Sequence, residues 1–444
     1  MLSAFLSAFR TPDLRKKLLF TVFIIAIYRL GTTIPSPGVS YVQVQKCLNL
    51  VENADTNGVF TLLNLFSGGA LLQLSVFALG IMPYITASII LQLLTVVIPR
   101  LEQLRKEGQT GQAKITQYTR YLTLGLAVLQ ASAFVALARS GQLFGGIGQN
   151  GGDCSNIIPE TQLGMPLTVS ALVITTTAGT GVIMWLGELI TDRGVGNGMS
   201  VLIFTSIAAR LPSEGWTIFQ KSKWTFVGVM LFGVLVITAV VFIEQAQRRV
   251  PVQYAKRMIG RRMYGGTSTY IPLKVNQAGV IPVIFASSLM YIPQLALQFM
   301  DSQNPNAFYR WVNNNIVDPG EPVHIALYFL MIIFFTYFYV SITFNPTDVA
   351  DNMKKYGGFV PGIRPGKPTA EYLDFILSRI TLPGALYLGI ISVLPNFFIG
   401  LVGGNLQNFP FGGTAVLIIV GVGLETVKQI ESQLMQRNYE GFLR

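Results

Sequence analysis

Apolar and polar positions in this chain come in long blocks, not in the short periods of soluble helices or strands. Ten uninterrupted apolar runs stand out, at about 18–34, 72–97, 118–138, 165–186, 199–211, 224–243, 275–297, 324–344, 380–398 and 413–427. Roughly 20 apolar residues in a helix cross the hydrocarbon core of a bilayer. The pattern therefore predicts an all-α polytopic membrane protein with ten spans. The run 199–211 is short for a bilayer, which tilt or local thinning accommodates.

The stretch 59–98 organises the rest. It contains no charged residue and is about twice too long for one span. Its strong break is Ser67-Gly68-Gly69, where paired glycines release the backbone from helix geometry. The expectation is a short apolar helix over 59–66, a kink, and a full span over 72–97. A half-helix at membrane depth is tolerated only inside protein or along a cavity. The short piece reads either as something that fills a hole or as a re-entrant helix with no gating role.

Charge then sets orientation. With the N-terminus in the cytoplasm, Arg10, Arg15, Lys16 and Lys17, the basic residues of 100–120, 248–274 and 354–379, and the basic residues of the C-tail all fall inside. Lys46, Arg139, Arg210, Lys221, Lys223 and Arg310 fall outside. An even number of spans preserves this asymmetry. The first apolar run has no small-residue cleavage site after it and reads as a retained span. Composition agrees: of 444 residues 51% are apolar and 12% charged, against about 25% charged in ordinary soluble domains. The net charge of +11 belongs to one face. Insertion and contact with anionic lipid account for part of it; the density over 244–274 suits docking of a nucleic-acid body or an acidic protein.

Candidate chemistry is sparse. Residues 1–17 alternate apolar and basic positions and read as an interfacial amphipathic tail. Arg29, near the outer end of the first run, can snorkel to the interface and reads as structural. Gly194, Gly196 and Gly198 lie between apolar runs and not in a strand–helix unit, so they read as a tight turn. His324 is the only histidine, and no metal or catalytic cluster is visible. In 244–274, Arg248-Arg249, Lys256-Arg257 and Arg261-Arg262 are separated by Tyr254, Tyr264 and Tyr270, which suggests an ordered finger. Pro361-Gly362 and Pro365-Gly366 bracket Ile363-Arg364 in a double turn that presents Arg364 at a tip. Cys47 and Cys154 both fall in outside loops, where they either pair or remain free thiols.

The chain also repeats itself. Residues 80–90, GIMPYITASII, align without gaps to 279–289, GVIPVIFASSL, with Gly80/Gly279, Pro83/Pro282, Ile85/Ile284, Ala87/Ala286 and Ser88/Ser287 identical. The offset maps the second run onto the seventh. Spans five apart run in opposite directions, so the expectation is two inverted five-helix halves. The halves are 18–211, including 59–71, and 224–427, carrying the cytoplasmic loops 244–274 and 345–379. Residues 212–223 connect them outside, and 428–444 form a cytoplasmic tail. Small residues at matching positions permit a seam that opens. Ile85 and Ile284 can form an apolar constriction at its middle, and such constrictions gate by dewetting. Mid-span carboxylates of an ion-coupled transporter are missing, which argues against a small-solute transporter and against a membrane enzyme.

Several stretches are specific: NLFSGGAL at 64–71, ALGIMPYITASII at 78–90, KEGQTGQAKITQYTRY at 106–121, WLGELITDRGVGNGMS at 185–200, QYAKR at 253–257, PLKVNQAGVIPVIFASS at 272–288 and FVPGIRPGKPT at 359–369. With these the chain resembles the bacterial SecY family, the central subunits of the protein-translocation channel. The resemblance implies an hourglass pore that passes unfolded polypeptides, is not an enzyme and needs no cofactor. It implies a plug around Phe66, Ser67, Gly68, Gly69, Ala70 and Leu71, and a constriction ring of Ile81, Ile85, Ile203, Ile284 and Ile418. It implies a lateral gate carrying Ser88, Gln92, Ser287 and Ser288, and cytoplasmic docking through Arg261, Arg262 and Arg364. The implied partners are SecE, SecG, the SecA motor, the ribosome, the translocating polypeptide and lipid. The implied location is the bacterial plasma membrane, with both termini cytoplasmic.

Overall fold

The computed structural model describes residues 9, 11–53, 67–140, 157–158, 164–221, 223–254, 257–259, 262–264, 268–298, 306–317, 321–402 and 413–442. Helix α1 (Pro12–Thr33) is followed by α2 (Tyr41–Asn53), a turn-rich segment over 67–81, α3 (Met82–Val97) and α4 (Pro99–Lys106). Then come α5 (Gln109–Ser140), α6 (Met165–Arg193), α7 (Gly198–Ala208), α8 (Leu211–Lys221) and α9 (Lys223–Gln245). Strands β1 (Gln247–Tyr254), β2 (Arg257–Ile259), β3 (Arg262–Tyr264) and β4 (Ser268–Lys274) precede α10 (Ile281–Gln298) and α11 (Ala307–Val312). A π turn over Asn313–Val317 leads to α12 (Pro322–Thr343), α13 (Pro346–Lys355), β5 (Gly358–Phe359), α14 (Lys367–Val402) and α15 (Gly413–Phe442).

Among the described residues five helices are long and apolar enough to cross a membrane, or six if α3 and α4, bent by 100° at Ile98-Pro99, count as one. The ten spans expected from the apolar runs are not established by this count. The clearest difference lies in the second run. It was expected to be helical from residue 72, yet helix begins only at Met82. Gly80 (φ +56°) and Leu74 (φ +46°) adopt left-handed backbone, and Pro83 sits in the first turn of α3, where a missing N–H costs nothing. Hydropathy is blind to all three. Similarly, 12–17, read as part of a tail, continues into α1, and Leu14 is buried with Val195 and Ile430.

The chain divides into two compact units, Met1–Gly228 with Gly403–Pro410 and Val422–Arg444, and Val229–Val402 with Phe411–Gly421. Within the first, α3 packs on α5, α5 on α6, and α6 on α1 and α7. Within the second, α10 packs on α12 and α12 on α14. The repeat reappears in the internal structure of each unit. Helices α3 and α10 begin at equivalent positions, Met82 and Ile281. Gly80 and Gly279 share left-handed φ values of +56° and +62°. In the first unit the Val76 carbonyl presses on Gly179 of α6; in the second, its equivalent, the Val275 carbonyl, presses on Gly384 of α14.

The glycines of 187–200 are explained by close packing. A Cβ on Gly198 would strike the Gly187 carbonyl, and one on Gly187 would strike Met199. Asn197 caps α7 by accepting from the Met199 amide at 3.2 Å, and Thr191 Oγ1 accepts from the Gly198 amide at 2.9 Å. These contacts fold α6 and α7 into a tight helical hairpin.

Candidate functional site

The residues singled out in the sequence fall into four sets, of which the second and third are divided between the two units. In the first, Ser67–Leu71 form consecutive turns. Gly68 and Gly69 take φ values of +68° and +94°, which only glycine adopts without strain. Ser67 Oγ accepts from the Leu71 amide at 3.1 Å. Ala70 and Leu71 are buried. Downstream the segment is pinned to the loop after α1: the Ser36 amide donates to the Leu74 carbonyl and the Val76 amide to the Ile34 carbonyl, each at 3.0 Å. Phe66 and the rest of 59–66 lie outside the described residues.

The second is the set of five isoleucines. Ile81 caps α3, and Ile85 follows one turn later on the same side of the helix, its amide bonded to the Ile81 carbonyl at 3.1 Å. Ile203 lies in α7, and these three belong to the first unit. Ile284, in the first turn of α10, and Ile418, in α15, belong to the second. Ile81, Ile203 and Ile418 are buried, whereas Ile85 and Ile284 are half-buried.

In the third, Ser88 and Gln92 lie on α3, with Ser287 and Ser288 on α10. Ser287 and Ser288 both donate to the Ile284 carbonyl of their own helix, at 2.9 and 2.8 Å. Thr86 likewise donates to the Met82 carbonyl at 3.0 Å. Hydroxyls satisfied within their own helix leave no polar debt when a neighbour departs.

The fourth is a basic platform. Strands β4, β1 and β5 form an antiparallel sheet, in that order, with β1 and β4 in register from Gln247↔Lys274 to Gln253↔Ser268. Its inner face, Val250, Val252 and Leu273, packs with Met353 of α13, Val360, and Leu373 and Ile376 of α14. Its outer face carries exposed Arg249, stacked 4.8 Å over the Tyr270 ring, while Arg248, paired with Leu273, is exposed on the opposite face. Beside it Gly362 (φ +84°) and Gly366 (φ +106°) make the two turns around exposed Arg364. Thr369 Oγ1 fastens the loop by donating to the Arg364 carbonyl at 2.8 Å. Arg262 pairs with Ile259 in the β2–β3 hairpin, and Arg261 lies outside the described residues.

Two features escaped sequence reasoning. Arg120 of α5 and Glu188 of α6 form a bidentate ion pair, both bonds 2.8 Å, and no local signal announces a pairing so far apart in sequence. Arg29 donates from Nη1 to the Gly68 carbonyl at 2.9 Å. Cys47 is buried and disulfide-bonded; Cys154 lies outside the described residues.

The sequence model of the SecY family matches residues 75–427. The chain is similar to the protein translocase subunit SecY of Streptomyces scabiei, 64% identical with all of both chains covered. It is likewise similar to that of Mycobacterium bovis, 60% identical over the full length of both. Among solved structures it resembles one described as a protein conducting channel (TM-score 0.63, 19% identity, 94% of this chain and 92% of that one). It also resembles Sec61 in a canine ribosome-channel complex (TM-score 0.60, 18% identity, 94% and 92%). Both carry the same fold. A family match over most of the chain and relatives this close over its whole length establish that the chain belongs to the SecY family of multi-pass membrane channel subunits.

Proposed function

We propose that this chain is the central pore-forming subunit of a protein-conducting channel, passing unfolded secretory polypeptides across the membrane and releasing apolar segments sideways into lipid. Such a solute varies in every property, so its path needs apolar, non-specific walls. Isoleucines at 81, 85, 203, 284 and 418 form the constriction ring. The α3 and α10 helices, with Ser88, Gln92, Ser287 and Ser288, form the lateral gate, and the hydroxyls of Ser287 and Ser288, satisfied within α10, let the gate part. An apolar signal segment then leaves by hydrophobic transfer. The platform with Arg261, Arg262 and Arg364 docks the ribosome or a SecA-type motor, which supplies the driving energy, while SecE and SecG complete the assembly. The chain lies in the bacterial plasma membrane with both termini cytoplasmic, an orientation that the basic loops favour. Its halves are 18–211 and 224–427.

The observation that carries this reading is the glycine-hinged segment, whose Ala70 and Leu71 are buried within a turn-rich insert ahead of α3. Residues 59–71 are the plug. Deleting 59–70 is expected to raise basal ion conductance of the reconstituted complex, measured in planar bilayers without substrate. Unchanged conductance would remove the plug assignment.

A further inference from the structure

Arg29 is a half-buried cation in α1, the helix of the first apolar run, and a charge in apolar surroundings is costly unless it is satisfied. In the structure its guanidinium Nη1 donates to the main-chain carbonyl of Gly68 at 2.9 Å. That carbonyl belongs to the first glycine of the hinge, whose left-handed φ of +68° takes it out of any helical ladder. One bond thus gives both groups a partner. The floor under the hinge is equally defined. A Cβ on Gly68 would lie 3.3 Å from Ser206 Cα of α7. Ser206 Oγ is itself hydrogen-bonded at 2.7 Å to Tyr28, the residue before Arg29. The Tyr28 ring stacks on Phe77, which lies on the far side of the hinge. Two consecutive residues of α1 therefore hold the hinge from both ends: Tyr28 fixes the floor and the Phe77 side, and Arg29 fixes the carbonyl.

From this geometry we propose that Arg29 is the latch of the plug: a positioning residue whose charge-assisted bond to the Gly68 carbonyl sets the fraction of time the hinge is seated. The inference rests on the plug reading above. It assigns the closed-state bias to a particular pair of atoms, not to apolar packing alone. A translocating chain that displaces the hinge must break this bond and leave the guanidinium to water in the opened path. Opening is thereby coupled to entry of water and substrate.

The test is substrate-free conductance of the purified, reconstituted complex in five forms: unmodified, Arg29→Gln, Arg29→Lys, and the 59–70 deletion with and without Arg29→Gln. Losing one charge-assisted hydrogen bond corresponds to about 10-fold or more in an equilibrium. Arg29→Gln should therefore raise the leak by about 10-fold. Arg29→Lys keeps the charge on a shorter, single-pointed donor, and should leak more than the unmodified complex but less than Arg29→Gln while folding normally. In the deletion background Arg29→Gln should add nothing, because the carbonyl it holds is gone. If the deletion leaks but Arg29→Gln does not, the latch is wrong and the plug stands. If Arg29→Gln adds the same leak with and without the plug, Arg29 acts as a charge lining the path and the latch is wrong. If the deletion itself does not leak, the plug reading fails first. Should Arg29→Gln fail to assemble, Arg29→Lys decides alone: a leak equal to the unmodified complex overturns the proposal.

Discussion

Gly179 of α6 and Gly384 of α14 show how one hydrogen atom can hold a fold together. A backbone carbonyl, from Val76 in one unit and Val275 in the other, occupies the space where a Cβ would stand. Glycine inside a helix ordinarily costs about 1 kcal/mol relative to alanine, so Gly→Ala at a free position should stabilise. Here the sign reverses, because a methyl group must displace main chain and overpacking costs about 1–3 kcal/mol. Gly179→Ala and Gly384→Ala should each lower the thermal midpoint of the detergent-solubilised protein. Gly125→Ala in α5, where nothing lies within 4 Å, should not. A midpoint unchanged by either of the first two would show that these carbonyls yield. Arg29 teaches the complementary lesson. Its position in an apolar run was legible in the sequence and its length suggested snorkelling. Its partner, a carbonyl thirty-nine positions later, depends on a left-handed turn that hydropathy does not encode.

At the scale of elements, the basic platform behaves like a small soluble domain. Its core of Val250, Val252, Leu273, Met353, Val360, Leu373 and Ile376 is what gives Arg364 a fixed address. Leu373 is fully buried there. Leu373→Ala should cost about 2–5 kcal/mol locally, seen as faster hydrogen exchange of the β1 amides with the membrane helices unaffected. Arg364→Glu tests the address instead of its foundation. The loop bonds use the Arg364 carbonyl and not its side chain, so the fold should survive. Motor-driven export should fall severely while protein level stays normal; normal export would remove Arg364 from docking. The double turn around Arg364 was readable because Pro-Gly pairs have few backbone options. The finger of 244–274 was readable as ordered from its tyrosine and β-branched spacing, but its antiparallel register was not. The start of α3 was misplaced by ten residues of apolar turn, since an apolar turn and an apolar helix have the same hydropathy.

At the scale of the whole molecule, the internal repeat is the property that sequence and structure share most fully. The alignment of 80–90 with 279–289 predicted equivalent helices. Each unit builds its own helix start, left-handed glycine and carbonyl-on-glycine seat at the matched positions. A repeat of this kind makes a quantitative claim about the ring. Ile85 and Ile284 are equivalent residues of equivalent helices, half-buried in both units, one turn beyond the helix start. If they line one constriction, each contributes similarly to keeping it dry, and removing both should do more than the two single changes combined, because water fills an apolar gap abruptly once it is wide enough. Ile85→Ala and Ile284→Ala should each raise the substrate-free leak modestly. The double variant should raise it by more than the product of the single effects, and the free-energy effects of the single variants should agree within about a factor of two, the spread of large-to-small changes at fixed chemistry. Equal multiplication of independent effects would mean that the two positions act at separate barriers. No leak in the double variant would take both out of the ring and leave the repeat as architecture without a gate.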